Sequence, residues 1–130
     1  MRMLEQEEEN DNVEVKWEDQ QRICTFSKLN TRFRTDEARL ETLKEEKEAL
    51  DDLSMELELA DEDKPVLYRI GESFVHLPLP RALKRLENDT SELDAEISRI
   101  KDRVEETEKE MKELKLVLYA KFGSAINLDE

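Results

Sequence analysis

From Glu18 to Ala60 the chain contains no Gly or Pro, and its apolar residues recur every three and four positions. That is the period of a helix face, not of a strand. Written as heptads, position a takes Phe26, Phe33, Leu40, Lys47 and Ser54, and position d takes Leu29, Asp36, Leu43, Leu50 and Leu57. The seam is apolar except at Asp36, Lys47 and Ser54. A second helical run covers about residues 81–122. Its a positions are Leu83, Thr90, Ile97, Val104, Met111 and Leu118; its d positions are Leu86, Leu93, Ile100, Thr107 and Leu114. Apolar a and d residues sustained in this way predict a coiled coil. Glu105–Lys109 and Glu108–Lys112 have the favourable i,i+4 order on the solvated face. Gly123 follows Phe122, where a helix C-terminus takes a left-handed residue.

The stretch between the helices, "KPVLYRIGESFVHLPLP" from Lys64 to Pro80, holds all three prolines and one of the two glycines. Pro65 pushes Lys64 out of the helical region and ends the first helix near residue 60. Gly71-Glu72 then separates two apolar runs, which is a β-hairpin signature. Tyr68 is expected to pair with Val75, and Val66 with Leu77. One face carries Val66, Tyr68, Ile70, Val75 and Leu77; the other carries Leu67, Arg69, Phe74 and His76. If the hairpin reverses the chain, the two helices lie antiparallel, each about 60–65 Å long, and facing residue numbers sum to about 141. The fold class is therefore mainly α: an antiparallel two-helix coiled coil with one β-hairpin between the helices.

Two strands alone are marginal in water, and this pair has two open edges. Other chains are expected to supply the missing strands, which makes Val66, Tyr68, Ile70, Phe74, Val75 and Leu77 candidate assembly residues. The alternative is a hairpin folded back over the coiled coil.

Composition narrows the function. Charged residues make up 43% of the 130 residues, aromatics 5%, and the net charge is −14. Such a chain lacks the basic footprint that nucleic acid or an anionic membrane needs. Residues 1–12 form an acidic tail expected to be unstructured, and residues 13–130 a single domain. The start, "MRMLEQEEEN", reads as neither a signal nor a transit peptide. No apolar run approaches membrane-spanning length. A single cysteine, Cys24, leaves no disulfide framework and suits a reducing compartment. These features point to a soluble, intracellular protein.

Candidate chemistry is sparse. His76 and Cys24 lie on different elements and make a poor metal or nucleophile pair. No Gly-rich phosphate loop is present, and "ADEDK" lacks the ligand spacing of a calcium loop. No catalytic residue, metal or cofactor is expected. What remains is a set of apolar residues off the seam: Trp17, Ile23, Leu116, Val117, Tyr119, Phe122, Ile126 and Leu128. They gather at the end opposite the hairpin. Clusters of this kind mark binding surfaces, or pack on one another to keep helix ends from fraying.

Helix, hairpin, helix, with "WEDQQRICTFSKL" opening the first helix and "LYAKFGSAINLDE" closing the chain, resembles the prefoldin family. "ADEDKPV" and "YRIGESF" add to the likeness, and a single hairpin marks a β-type subunit. The resemblance implies a heterohexameric co-chaperone of two α-type and four β-type subunits, so the expected partners are two α-type and three further β-type subunits. It implies a double β-barrel built from the hairpins, with coiled coils whose tips hold unfolded actin and tubulin. Clients would pass to the cytosolic chaperonin without ATP, which places the chain in the cytoplasm with a nuclear role left open. Trp17, Ile23, Val117, Tyr119 and Phe122 are the expected client contacts. Lys16 departs from the Ser or Thr usual before the first helix, so a frayed start is expected there. The competing readings are a coiled-coil adaptor joined to one fixed partner, and a homodimeric rod with its seam between chains.

Overall fold

The computed structural model describes residues 14–128, together with the backbone of residues 2–3. A two-residue strand β1 (Arg2–Met3) precedes the 42-residue helix α1 (Trp17–Glu58). The hairpin strands β2 (Val66–Ile70) and β3 (Ser73–Leu77) lead into the 44-residue helix α2 (Leu79–Phe122). A 3-10 turn (Gly123–Ala125) and the short strand β4 (Ile126–Asn127) follow. The tail expected to be unstructured lies outside the described residues, apart from Arg2 and Met3, whose backbones pair antiparallel with Asn127 and Ile126.

Two compact units divide the chain: Met1–Ala38 with Asp102–Glu130, and Arg39–Lys101. Each takes one stretch of both helices. The first is centred on Phe26, Leu118, Phe122, Ala125, Ile126 and Leu128. The second is centred on Leu57, Tyr68, Leu79, Ala82 and Leu86.

The heptad reading accounts for the seam. Every assigned a and d position is buried or half-buried except Leu83. The charged positions within it, Asp36 and Lys47, are matched by the opposing helix. In the first unit Asp36 is 4% exposed, and the Arg103 guanidinium grips it as a fork: Nε donates to Oδ2 at 2.9 Å and Nη2 to Oδ1 at 2.6 Å. In the second, Lys47 Nζ donates to Asp94 Oδ1 at 2.6 Å. The Asp36 carboxylate, withdrawn from water, needs such a partner, whereas the Lys47–Asp94 pair stays open to solvent. These pairs join α1 to α2 of one chain, antiparallel in both units, the arrangement of a seam within the chain.

Helix ends follow local chemistry. Lys16 offers no capping oxygen, and α1 starts at Trp17 beside it. Asp19, three residues on, accepts a hydrogen bond from the Lys16 amide at 3.1 Å, which is half of a capping box. At the other end the Leu59 and Ala60 amides reach Glu56 and Leu57 carbonyls, both at 3.2 Å, tightening the last turn. Helix α2 starts two residues before the expected Arg81. Pro80 falls in its first turn, where a missing amide proton costs nothing, and the Ala82 amide donates to the Pro78 carbonyl at 3.0 Å.

The hairpin has the expected pairing, Val66 with Leu77 and Tyr68 with Val75. Gly71 takes φ 62°, as a two-residue turn demands. As in the alternative of a hairpin folded back over the coiled coil, helix residues of the same chain cover most of the apolar face. Val66, Tyr68, Ile70 and Leu77 pack with Leu57, Leu79, Ala82 and Leu86, flanked by Leu50, Leu53 and Ala60. The apolar row widens beside the assigned seam at Leu53 on α1 and extends ahead of it at Leu79 and Ala82 on α2.

Candidate binding surfaces

In the first unit, Phe26 and Leu118 are a residues with no solvent exposure. Gly123, at φ 56°, turns the chain out of α2, and Ala125, Ile126 and Leu128 then seal the cluster. The Leu128 amide donates to the Tyr119 phenol oxygen at 3.3 Å. Val15, Ile23, Met111, Leu114 and Tyr119 pack around the edge.

The structure sorts the five residues expected to touch clients. Phe122 is a core residue, and Ile23 and Tyr119 are half-buried against the core. Trp17, at 72%, and Val117 face solvent. Leu116, set aside in the sequence reading, is 74% exposed. The off-seam residues thus divide: Phe122, Ile126 and Leu128 close the core, while Trp17, Leu116 and Val117 stay open.

Asp19 was missed. It is buried, and its carboxylate accepts from the Lys121 ammonium, from Arg22 Nη1 at 3.1 Å and from the Lys16 amide. The signal lay in the heptads: Asp19 is one repeat before Phe26 at position a, and Lys121 one repeat after Leu114 at position d. The Lys121 hydrogen bond holds the Asp19 carboxyl below the usual carboxylate range, against the opposing push of burial. Arg103 does the same for Asp36.

Both carboxyls are more acidic folded than unfolded. Their contribution to stability is therefore complete above about pH 4, the unfolded value, and is lost as pH falls through the lower folded values. The thermal midpoint should drop as pH is lowered from about 5 toward 2. Chains with Asp19→Asn and Asp36→Asn together should lose less over that interval. Circular-dichroism melts across the range test this; parallel pH profiles would show that the two carboxyls carry no such linkage.

In the second unit, the Tyr68 hydroxyl donates to Asp89 Oδ2 at 2.9 Å, and Arg85 Nε lies 3.2 Å from Oδ1 of the same carboxylate. Burial, then the hydrogen bond to Asp89 and its charge, push the Tyr68 phenol up to about 12. Of the six candidate assembly residues, Val66, Tyr68, Ile70 and Leu77 face the chain's own helices. Phe74, at 64%, and Val75 are open. Leu67, opposite His76 on the outer face, is 55% exposed and was not among the candidates. Among the described residues no group of His, Cys, Asp and Glu could hold a metal, and no helix is long and apolar enough to cross a membrane.

The architecture is thus two long antiparallel helix stretches, one hairpin laid on them, and open apolar residues in both units. A family model described as a prefoldin subunit matches residues 20–125. The chain belongs to the prefoldin subunit family. It is 42% identical to prefoldin subunit 4 of Saccharomyces cerevisiae, over 99% of each chain. It is 36% identical to a probable prefoldin subunit 4 of Drosophila melanogaster, over 92% of this chain and 87% of that one. With prefoldin subunit 4 of Homo sapiens it shares 34% identity, over 92% and 90%. Prefoldin is a chaperone family, not a family of enzymes, in keeping with a chain whose conspicuous surfaces are apolar patches.

Proposed function

We propose that the chain is a β-type subunit of a heterohexameric prefoldin with two α-type and three further β-type partners. It assembles through its hairpin, holds non-native polypeptides such as nascent actin and tubulin, and passes them to the cytosolic chaperonin without ATP. The observation that carries the client-holding role is the open set Trp17, Leu116 and Val117, on the helix segments that build a core already sealed from within. Apolar side chains left over after the core is closed are free for a partner.

Burying apolar client surface gains about 25 cal/mol per Å². Three side chains offer little area, so one subunit holds weakly. Several subunits acting together raise the effective concentration, and weak individual contacts release quickly. Both properties suit a protein that captures a chain and hands it on.

Deleting residues 1–24 and 116–130 would remove Leu118 and Phe122 from the core, so surface substitution is the cleaner test. Trp17→Ser, Leu116→Ser and Val117→Ser together should leave helix content and complex mass unchanged, because exposed substitutions usually stay within about 0.5 kcal/mol each. Suppression of actin aggregation by the complex should fall several-fold. Undiminished suppression would place client contact elsewhere.

A further inference from the structure

Beside β2 lies a groove of about 460 Å³. Leu50, Leu53, Leu93 and Tyr68 line it, and Glu46 and Glu92 stand on it as exposed carboxylates. The other charges around it are already engaged. Asp89 is held by Tyr68 and Arg85, and Glu96 by Arg39 at 3.0 Å. Arg69 directs its Nε to the Gly71 carbonyl at 3.0 Å. Glu46 and Glu92 make no ion pair with any described residue. Two unneutralised carboxylates therefore sit over an apolar lining.

We propose that this groove receives a lysine or arginine from a strand of a different prefoldin subunit lying against β2. This rests on the assembly reading and specifies the chemistry of the neighbour on that side. β2 is paired only on its β3 side among the described residues, and Tyr68 and Arg69 of β2 border the groove. A strand added to such an edge projects alternate side chains toward the underlying helices. A lysine or arginine fits both parts of the groove: its methylene stem covers the leucines, and its charged head reaches the glutamates. An acidic side chain would be repelled, and a purely apolar one would strip water from two carboxylates without replacing it.

The surface near Ile70 and Leu77 has the opposite sign. A cleft of about 250 Å³ is bordered there by Arg81 and Lys84, neither paired with a described residue. The hairpin thus presents an acidic groove and a basic cleft, and a neighbour suited to one is unsuited to the other. A second copy of this chain is a poor occupant, because each copy carries a net charge of −14.

The test uses the reconstituted complex. Glu46→Lys with Glu92→Lys should keep helix content but weaken incorporation into the complex about tenfold or more, with the matching glutamine pair losing less. The salt dependence of assembly should also become shallower. Leu67→Asp with Phe74→Asp, on the outer face of the hairpin, serves as the comparison. If that pair blocks assembly while the lysine pair incorporates like the parent chain, the groove proposal is overturned and the assembly reading stands. If neither pair changes assembly, the assembly reading itself fails, and the groove proposal with it. Self-association of the isolated chain that the lysine pair abolishes would make the occupant a second copy and overturn the proposal as stated.

Discussion

Replacing Phe26 by Ala should lower the stability of the chain by about 3–5 kcal/mol. Phe26 has no solvent exposure and packs with Leu118, Phe122, Ala125, Ile126 and Leu128. The Lys115 ammonium lies 5.9 Å from its ring centroid. The site is framed by two helices and by the turn at Gly123, so the walls have little room to collapse into the space left by the ring. A domain of this size has about 5–15 kcal/mol in all, so the loss would bring it close to unfolding. Urea denaturation followed by circular dichroism measures it. A change below about 1 kcal/mol would mean that the cluster is not packed as described. The contrast with Trp17, Leu116 and Val117 is the useful part: similar side chains on the same helix segments should matter for clients and hardly at all for folding.

The second large effect is expected at Tyr68. Tyr68→Ala should cost about 3–5 kcal/mol, as loss of a buried aromatic ring generally does. Tyr68→Phe keeps the ring and removes only the bond to Asp89. That carboxylate is half-buried and retains Arg85, so a cost of about 1–2 kcal/mol is expected. The alanine variant should also fail to assemble, because Tyr68 anchors the hairpin to the helices, whereas the phenylalanine variant should assemble. Denaturation and native mass measurement decide both points. Equal losses for the two variants would show that the hydrogen bond, not the ring, secures the hairpin.

Much of this architecture was legible in the sequence. Periodicity placed the seam, and it needed only the apolar or polar character of each side chain to do so. The hairpin was legible because Gly71 supplies a turn that few residues make at low cost, and a two-residue loop then fixes which residues pair. What covered the hairpin was not legible. Alternation names an apolar face but not its partner; Leu79 lay in the proline-rich connection, and Ala82 fell outside the assigned a and d positions. Burial of Ile126 and Leu128 depended on the reversal at Gly123, which sets a direction that periodicity does not encode. Asp19 was overlooked because the heptads were counted from the first apolar member. Of the expected client contacts, Ile23, Tyr119 and Phe122 pack inward on the core cluster, while Trp17 and Val117 remain open.

The charged residues within the seam have a consequence beyond their own partners. Slide α2 by one heptad in one direction and Asp36 meets Glu110 while Lys47 meets Lys101. Slide it in the other and Asp36 meets Glu96, while Lys47 meets Glu87. Leucines alone would tolerate either slip, since every seventh residue is again apolar. Asp36 and Lys47 add little attraction that leucine could not replace, but Asp36 meets a like charge after either slip and Lys47 after one of them. The helix pair is in this sense indexed: its sequence carries a mark that only one alignment satisfies.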